Sequence, residues 1–399
     1  MPEVTLILFE APARPAERPL TALLSEARRA LAEDHVERFL RAGADRVVRV
    51  AGRGATQPET DASRPWKAGA ADRARPGLPP PRFVRAGSFG EALARVVRDE
   101  HVEGCVVLGD GAVPRLHAVD AERLVRAARS DGPIALTNNR FSSDVCAVPH
   151  AETLLRLPAL PSDNALPRWL EEVAGYAVRD MAARDRLALD LDTPLDLALL
   201  ALAPDARPSL RRLAATSSIR VPRVDALRAV AADPRRELLV FGRSSSGTLA
   251  WLERHVRCRV RFLAEERGLR ASSPLAMGGP EPTAPRPAGE TQPARPPRAT
   301  LGRLLDREGP DALPRIVAEL ADAAILDARV LLADRMGPDE DAWPAPEDRF
   351  ASDLLASEAI ADPWLRSLTA AVASAPIPIL LGGHTLVGPG VRLLLRGIR

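Results

Sequence analysis

Strand-length apolar runs alternate with helix-length stretches along this chain, and that alternation limits the fold more than any other feature. Val4 to Phe9 is short, apolar and without polar alternation, as expected of a strand buried on both faces. Leu20 to Ala42 follows with helical spacing through Leu23, Leu24, Ala30, Leu31, Val36, Phe39 and Leu40, and Gly43 stands at the C-cap. Arg46 to Val50 is a second strand, and Ser88 with Glu91 has capping-box spacing at the head of a helix over 89–99. Strands are then expected at Gly104 to Leu108, Ile134 to Thr137 and Val145 to Val148, with helices at Ala121 to Arg129 and Pro167 to Val173. LALDLD, Leu187 to Asp192, reads as the closing strand, and Pro194 with Asp196 opens a helix behind it. Such a pattern folds as an α/β layer structure, with a mostly parallel Rossmann-type sheet flanked by helices and right-handed crossovers.

A second α/β region begins at about residue 206. Glu237 to Phe241, Arg259 to Leu263 and Pro376 to Leu381 are strand-like, with helical segments at Leu249 to His255, Leu301 to Leu305 and Ala312 to Leu320. Ala323 to Leu332 is a largely apolar stretch. The expected domains are therefore 1–205, and 206–270 with 300–399. Residues 52–81 are poor in large apolar side chains and read as a mobile insertion, and the Pro-rich stretch 271–299 reads as a disordered linker. WPAPEDRFASD, Trp343 to Asp353, reads as a solvated loop with local ion pairs.

Composition narrows the partners. Among 399 residues the formal net charge is +2 and aromatic side chains make up 4%, so neither a basic field nor base-stacking surfaces point to nucleic acid. No apolar stretch has the length of a membrane span, and the N-terminal segment lacks a basic leader, so a cytoplasmic protein is expected. Cys105, Cys146 and Cys258 lie isolated in apolar runs, as reduced core residues do.

In open α/β sheets ligands lie beyond the carboxyl ends of the strands. Asp110, Asn138, Asn139 and Asp192 all fall at such ends. Asp190 and Asp192, two apart on an extended segment, point to one side and suit Mg²⁺, a hard cation that takes oxygen ligands. The same aspartates also suit a strand end and the turn after it. Gly242 to Thr248, with Ser244, Ser245 and Gly247, is a hydroxyl-rich turn between strand and helix. It serves equally as a phosphate cradle or as an N-cap. His384 follows two glycines at the end of the last strand, and the Ser244 loop with His384 offers an alternative site in the C-terminal half.

Four segments in order, AGADRVVRV (42–50), GDGAVP (109–114), TNN (137–139) and DLDTPLDL (190–197), resemble the GT-A-like nucleotidyltransferases. That group includes the molybdenum-cofactor guanylyl- and cytidylyltransferases and, closest in flavour, 2-phospho-lactate guanylyltransferase. The resemblance covers about residues 1 to 200. It implies transfer of a nucleotidyl group from a nucleoside triphosphate to a small phosphorylated metabolite. Asp110 and Asp192 would hold Mg²⁺, with Asp190 beside them, and Thr137 and Asn138 would face nucleotide or acceptor. The first loop departs from the family: there is no glycine before Gly43, and the phosphate-wrapping place is held by Pro12, Pro15, Glu10 and Glu17. Arg14 and Arg18 are left to clamp the triphosphate. A protein that binds nucleotide or metabolite without turnover is the other function compatible with that loop.

Overall fold

The computed structural model describes residues 1–11, 18–51, 82–84, 86–182, 184–265 and 297–398. Strand β1 (Val4–Glu10) is the centre of the first sheet, and its alternation decides the layers. Leu6 and Leu8 face one core with Val36, Phe39, Leu116 and Leu124, whereas Ile7 faces another with Leu93, Val97, Trp169 and Leu170. The first core lies under helices α1 (Pro19–Arg41) and α3 (Ala118–Ala128), the second under α2 (Phe89–Asp99) and α4 (Leu166–Glu172). The sheet is completed by β2 (Arg46–Ala51), β3 (Arg82–Phe83), β4 (Gly104–Gly109), β5 (Ile134–Thr137), β6 (Val145–Val148) and β7 (Ala177–Asp180).

Its order is β3-β2-β1-β4-β6-β5-β7, parallel except for β6, which runs antiparallel to both β4 and β5. Winding reverses between β1 and β4, so the crevice at their carboxyl ends is the topological switch point. Leu187 to Asp192 is not a strand. α5 (Arg184–Leu187) ends in it, and the residues that follow join no ladder. Leu187, Leu189 and Leu191 are all fully buried, so the alternation is real. The backbone instead bonds to a loop, the Leu191 N–H donating to the Gly111 carbonyl at 2.9 Å. The edge strand is β7, whose register sets Ile134 against Ala177, and only Val178 of its four residues is buried.

The chain does not divide at one cut near residue 205. Thr193–Pro204, with α6 (Pro194–Ala201), groups with the second unit, as do Arg18–Thr21, while Asp205–Leu213 groups with the first. α7 (Pro208–Thr216) and α8 (Val224–Ala232) follow. The second unit has its own parallel sheet, ordered β11-β10-β8-β9, from β8 (Glu237–Gly242), β9 (Arg259–Ala264), β10 (Ala323–Asp327) and β11 (Ile379–Gly382). Read by appearance in the chain this is the order 2-1-3-4, with its switch point between β8 and β10. Helices α9 (Ser246–His255), α10 (Thr300–Glu308), α11 (Leu313–Ala318), α12 (Ala328–Met336), α13 (Pro346–Asp353), α14 (Pro363–Ser374) and α15 (Val391–Leu394) complete the unit. Its core joins Leu239, Phe241, Leu305, Val317, Leu326, Leu331, Leu368 and Leu381.

One sequence expectation changes here. The charged run before Asp353 is the buried helix α13, not a solvated loop. Asp353 takes a two-pronged ion pair from Arg329, and Asp348 accepts the N–H groups of Ala361 and Asp362 at 3.0 and 2.8 Å. Glu347 accepts those of Leu20 and Thr21 at 3.0 and 2.9 Å, capping the first turn of α1. The apolar stretch from Ala323 is two elements, β10 running directly into α12, because Asp327 ends the strand and caps the helix through the Arg329 N–H at 3.1 Å. The insertion 52–81 and all of 271–299 but its last residues lie outside the described residues. Ala299 is already core, its N–H bonded to Asp334 at 2.8 Å.

Candidate functional site

At the carboxyl end of β4 the chain turns through Asp110, whose own N–H donates to the Phe9 carbonyl at 2.9 Å. Its carboxylate accepts the Ala11 N–H at 3.0 Å, so the aspartate spans the switch point and holds the first residue after β1. Burial pushes the Asp110 carboxyl up from its ordinary value, opposed by the nearby Arg28 cation and the Ala11 and Gly111 N–H groups, while Asp192 adds to the rise. Asp192 forms an ion pair with Arg28 at 2.9 Å, and the Arg28 Nε donates to the Leu191 carbonyl at 2.8 Å. Gly111 is tightly enclosed: a Cβ there would stand 2.9 Å from the Leu191 oxygen and 3.0 Å from the Arg28 Nε.

Glu10, at the end of β1, pairs with Arg49 of β2. Burial raises its carboxyl, Arg49 lowers it, and Asp110 raises it further. Asp163 is pushed up to about 6, chiefly by burial and in part by Asp192. Glu10 and Asp163 are thus coupled electrostatically to Asp110 and Asp192 respectively, with Arg49 as the cation of Glu10 and Arg28 that of Asp110 and Asp192. The carboxylates are hard oxygen donors, the set a divalent ion takes. The three predicted metal residues, Asp110, Asp190 and Asp192, do not all bring their carboxylate oxygens within 4.8 Å of one another. The donor chemistry fits the ion: Asp190 and Asp192 each bring a carboxylate oxygen within 4.8 Å of the other, and Asp110 is near enough to Asp192 to feel its charge.

The other sequence-selected residues go elsewhere. Thr137 and Asn138 are turned into the fold. The Thr137 hydroxyl meets that of Ser143 at 2.8 Å and donates to the Val145 carbonyl at 3.0 Å. The Asn138 amide donates to Asp144 at 2.6 Å and to the Leu187 carbonyl at 2.9 Å, while its oxygen accepts the N–H groups of Asp144 and Val145 at 3.0 and 3.3 Å. Both brace the β5–β6 loop. Arg14 lies outside the described residues. Arg18 is exposed and groups with the second unit.

In that unit Ser245 is the N-cap of α9, accepting the Thr248 N–H at 3.3 Å. Ser244 donates to the Val387 carbonyl at 2.7 Å, and the Gly247 carbonyl accepts from Arg392 at 3.4 Å. His384 is half-buried after β11. The switch point of this sheet is occupied by the chain itself. Asp327 is 1% exposed. A Cβ on Gly242, whose φ is +129°, would stand 2.2 Å from the Asp327 Cβ.

Sequence reasoning missed Arg28 and His35 of α1. His35 is fully buried, its Nε2 lying 2.9 Å from the Ala112 carbonyl two residues past Asp110, and burial pushes its pKa down to about 4. At neutral pH the ring is uncharged and Nε2 carries the proton. The available signal was spacing: seven positions place two polar side chains on the face that also carries the apolar stripe of the helix.

No family model matches the chain, and no curated protein matches it. Among solved structures it is similar to a candidate nucleotide-diphospho-sugar transferase from Desulfovibrio desulfuricans G20. The identity is 13% and the TM-score 0.37, over 55% of this chain and 96% of the other. It is also similar to Rv0371c from Mycobacterium tuberculosis H37Rv, at 17% identity and TM-score 0.31 over 49% and 95% of the two chains. The homologue of Rv0371c from Mycobacterium sp. strain JC1 gives 18% identity and TM-score 0.30, over 54% and 96%.

Proposed function

We propose that the first unit is a GT-A-like domain that binds a nucleoside triphosphate at the β1/β4 switch point. It would pass the nucleotidyl group to a small phosphorylated metabolite. The observation that carries this reading is Asp110: a carboxylate braced by the Ala11 N–H, kept from ordinary hydration, and facing Asp192 and Arg28 across the strand ends. Asp110 and Asp192 would hold Mg²⁺, which when bound neutralises the charge of the α-phosphate and of the departing pyrophosphate. The chain's own part is positional. The Ala11 N–H fixes Asp110, the Leu191–Gly111 bond ties the residue before Asp192 to the residue after Asp110, and Arg28 supplies positive charge. An acceptor phosphate oxygen then attacks the α-phosphate in line with the leaving pyrophosphate.

Binding without turnover is the second reading, and one observation favours it. Glu10 and its Arg49 partner stand at the end of β1, where the resembling family starts its glycine-rich phosphate loop. The deciding experiment is a thermal-shift panel of ATP, GTP, CTP and UTP, each with and without Mg²⁺, on the wild type, Asp110→Asn and Asp192→Ala. A nucleotide at a hundred times its dissociation constant adds about 2.7 kcal/mol of stability. A Mg²⁺-dependent shift for one base, lost in Asp110→Asn, is expected, and pyrophosphate release then separates transfer from binding alone. No shift for any nucleotide defeats nucleotidyl transfer and nucleotide binding alike.

A further inference from the structure

The Arg28 side chain has two anchors of unequal durability. Its Nε bond to the Leu191 carbonyl, at 2.8 Å, sits over Gly111, where the backbone approaches too closely to admit a Cβ without adjustment. Its Nη2 bond to Asp192, at 2.9 Å, joins a side chain 22% exposed to one 49% exposed. An ion pair so open to water is worth at most about 1 kcal/mol. Among the described residues no second carboxylate lies within ion-pair distance of Arg28. The Nε end is therefore fixed, while the Nη end is held by a contact that is readily exchanged. Asp110 is bound differently, through a backbone N–H, and keeps its place whatever Arg28 does.

We propose that Arg28 is a positioning residue that holds Asp192 through their ion pair and turns its freed guanidinium edge to the phosphate oxygens of the nucleotide once Asp192 binds a divalent cation. This rests on the reading that the β1/β4 crevice takes nucleotide phosphates. The exchange is isoelectric. Asp192 trades one cationic partner for another, and the guanidinium trades a carboxylate for a phosphate, which its planar fork fits equally well. The Leu191 bond keeps the side chain over the site while its partner changes. A site lacking the glycine-rich loop would thus recover a phosphate contact from α1.

The test uses the full chain and two probes. Mn²⁺ alone is followed by loss of the free aqua-ion signal in electron paramagnetic resonance, and inorganic pyrophosphate by calorimetry. Arg28→Gln keeps a donor for the Leu191 carbonyl but removes the charge. Without its competitor Asp192 should bind Mn²⁺ about 5-fold more tightly, while pyrophosphate binds the Mn²⁺-loaded protein about 10-fold more weakly. Asp192→Asn should raise metal-free pyrophosphate affinity about 3-fold, because the guanidinium is released. Unchanged Mn²⁺ affinity in Arg28→Gln, with uptake still abolished by Asp110→Asn, overturns the exchange and leaves the site reading standing. If the wild type shows no Asp110-dependent uptake of Mn²⁺, the site reading falls and the exchange falls with it. Should Arg28→Gln not fold, Asp192→Asn decides alone: no gain in pyrophosphate affinity overturns the proposal.

Discussion

Two switch points, one in each sheet, are built on the same plan and end in different states. In each, an aspartate from one central strand accepts the N–H of the residue that follows the other: Asp110 from Ala11 at 3.0 Å, and Asp327 from Arg243 at 3.4 Å. Each also has an arginine paired to a second aspartate, Arg28 with Asp192 and Arg329 with Asp353. The side chains of the first pair are 22% and 49% exposed, those of the second 6% and 0%. Asp327 is further spent as a helix cap, and Gly242 lets its side chain lie against the β8 backbone. Topology supplies a crevice in both units, and the residues that fill it decide whether it remains a site. The first ion pair stays half open to water, and the second is an internal brace.

The largest separation between them should come from removing one acid of each pair. Asp353→Ala leaves the Arg329 guanidinium buried without its partner and should destabilise the second unit by about 3–5 kcal/mol in urea unfolding. Asp192→Ala should cost the first unit less than about 1 kcal/mol. Equal losses would break the comparison.

A smaller contrast concerns the two glycines. Gly242→Ala places a Cβ 2.2 Å from that of Asp327 at a left-handed φ, and a loss of about 2–4 kcal/mol is expected. Gly111→Ala, at 2.9 and 3.0 Å from its neighbours, should lose about half as much and instead disturb Arg28. Melting curves of the two variants rank them directly.

The mildest test uses pH. The His35 pKa is about 4 in the folded chain against an ordinary 6.5, so the unfolded chain binds more protons between those values. Stability therefore rises with pH across that window. As pH falls from 6.5 to 4 the first unit should lose up to about 3 kcal/mol. His35→Gln should flatten that slope, and an unchanged slope would remove His35 from the account of the Asp110 loop.

Much of the first sheet was legible. The runs 134–137 and 145–148 and the helix 89–99 coincide with β5, β6 and α2, because their apolar residues and the Ser88 cap act locally. What failed depended on distant partners. The alternation in Leu187 to Asp192 is the burial pattern of a strand, but the ladder position goes to β7, a sequence with one buried side chain. The acids of α13 looked solvated because the groups they satisfy, Arg329 and the N–H groups of Leu20, Ala361 and Asp362, are remote in sequence or follow a turn. Asp110 was visible as a strand-end acid, Asp192 was picked out at the end of a strand that does not form, and Arg28 was hidden inside an ordinary helical stripe.

The lone antiparallel strand has a consequence for how such a protein can change. Because β6 runs backwards, β5 ends and β6 begins at the same edge of the sheet, the edge where ligands lie. The loop between them is secured at its root by the four hydrogen bonds of Asn138, while Phe141 at its tip stands 62% exposed. Anchoring and display are thus assigned to different residues of one short segment. Substitutions at the tip can change the surface the loop displays without touching the ladder, so that surface can vary by single changes that leave the scaffold intact.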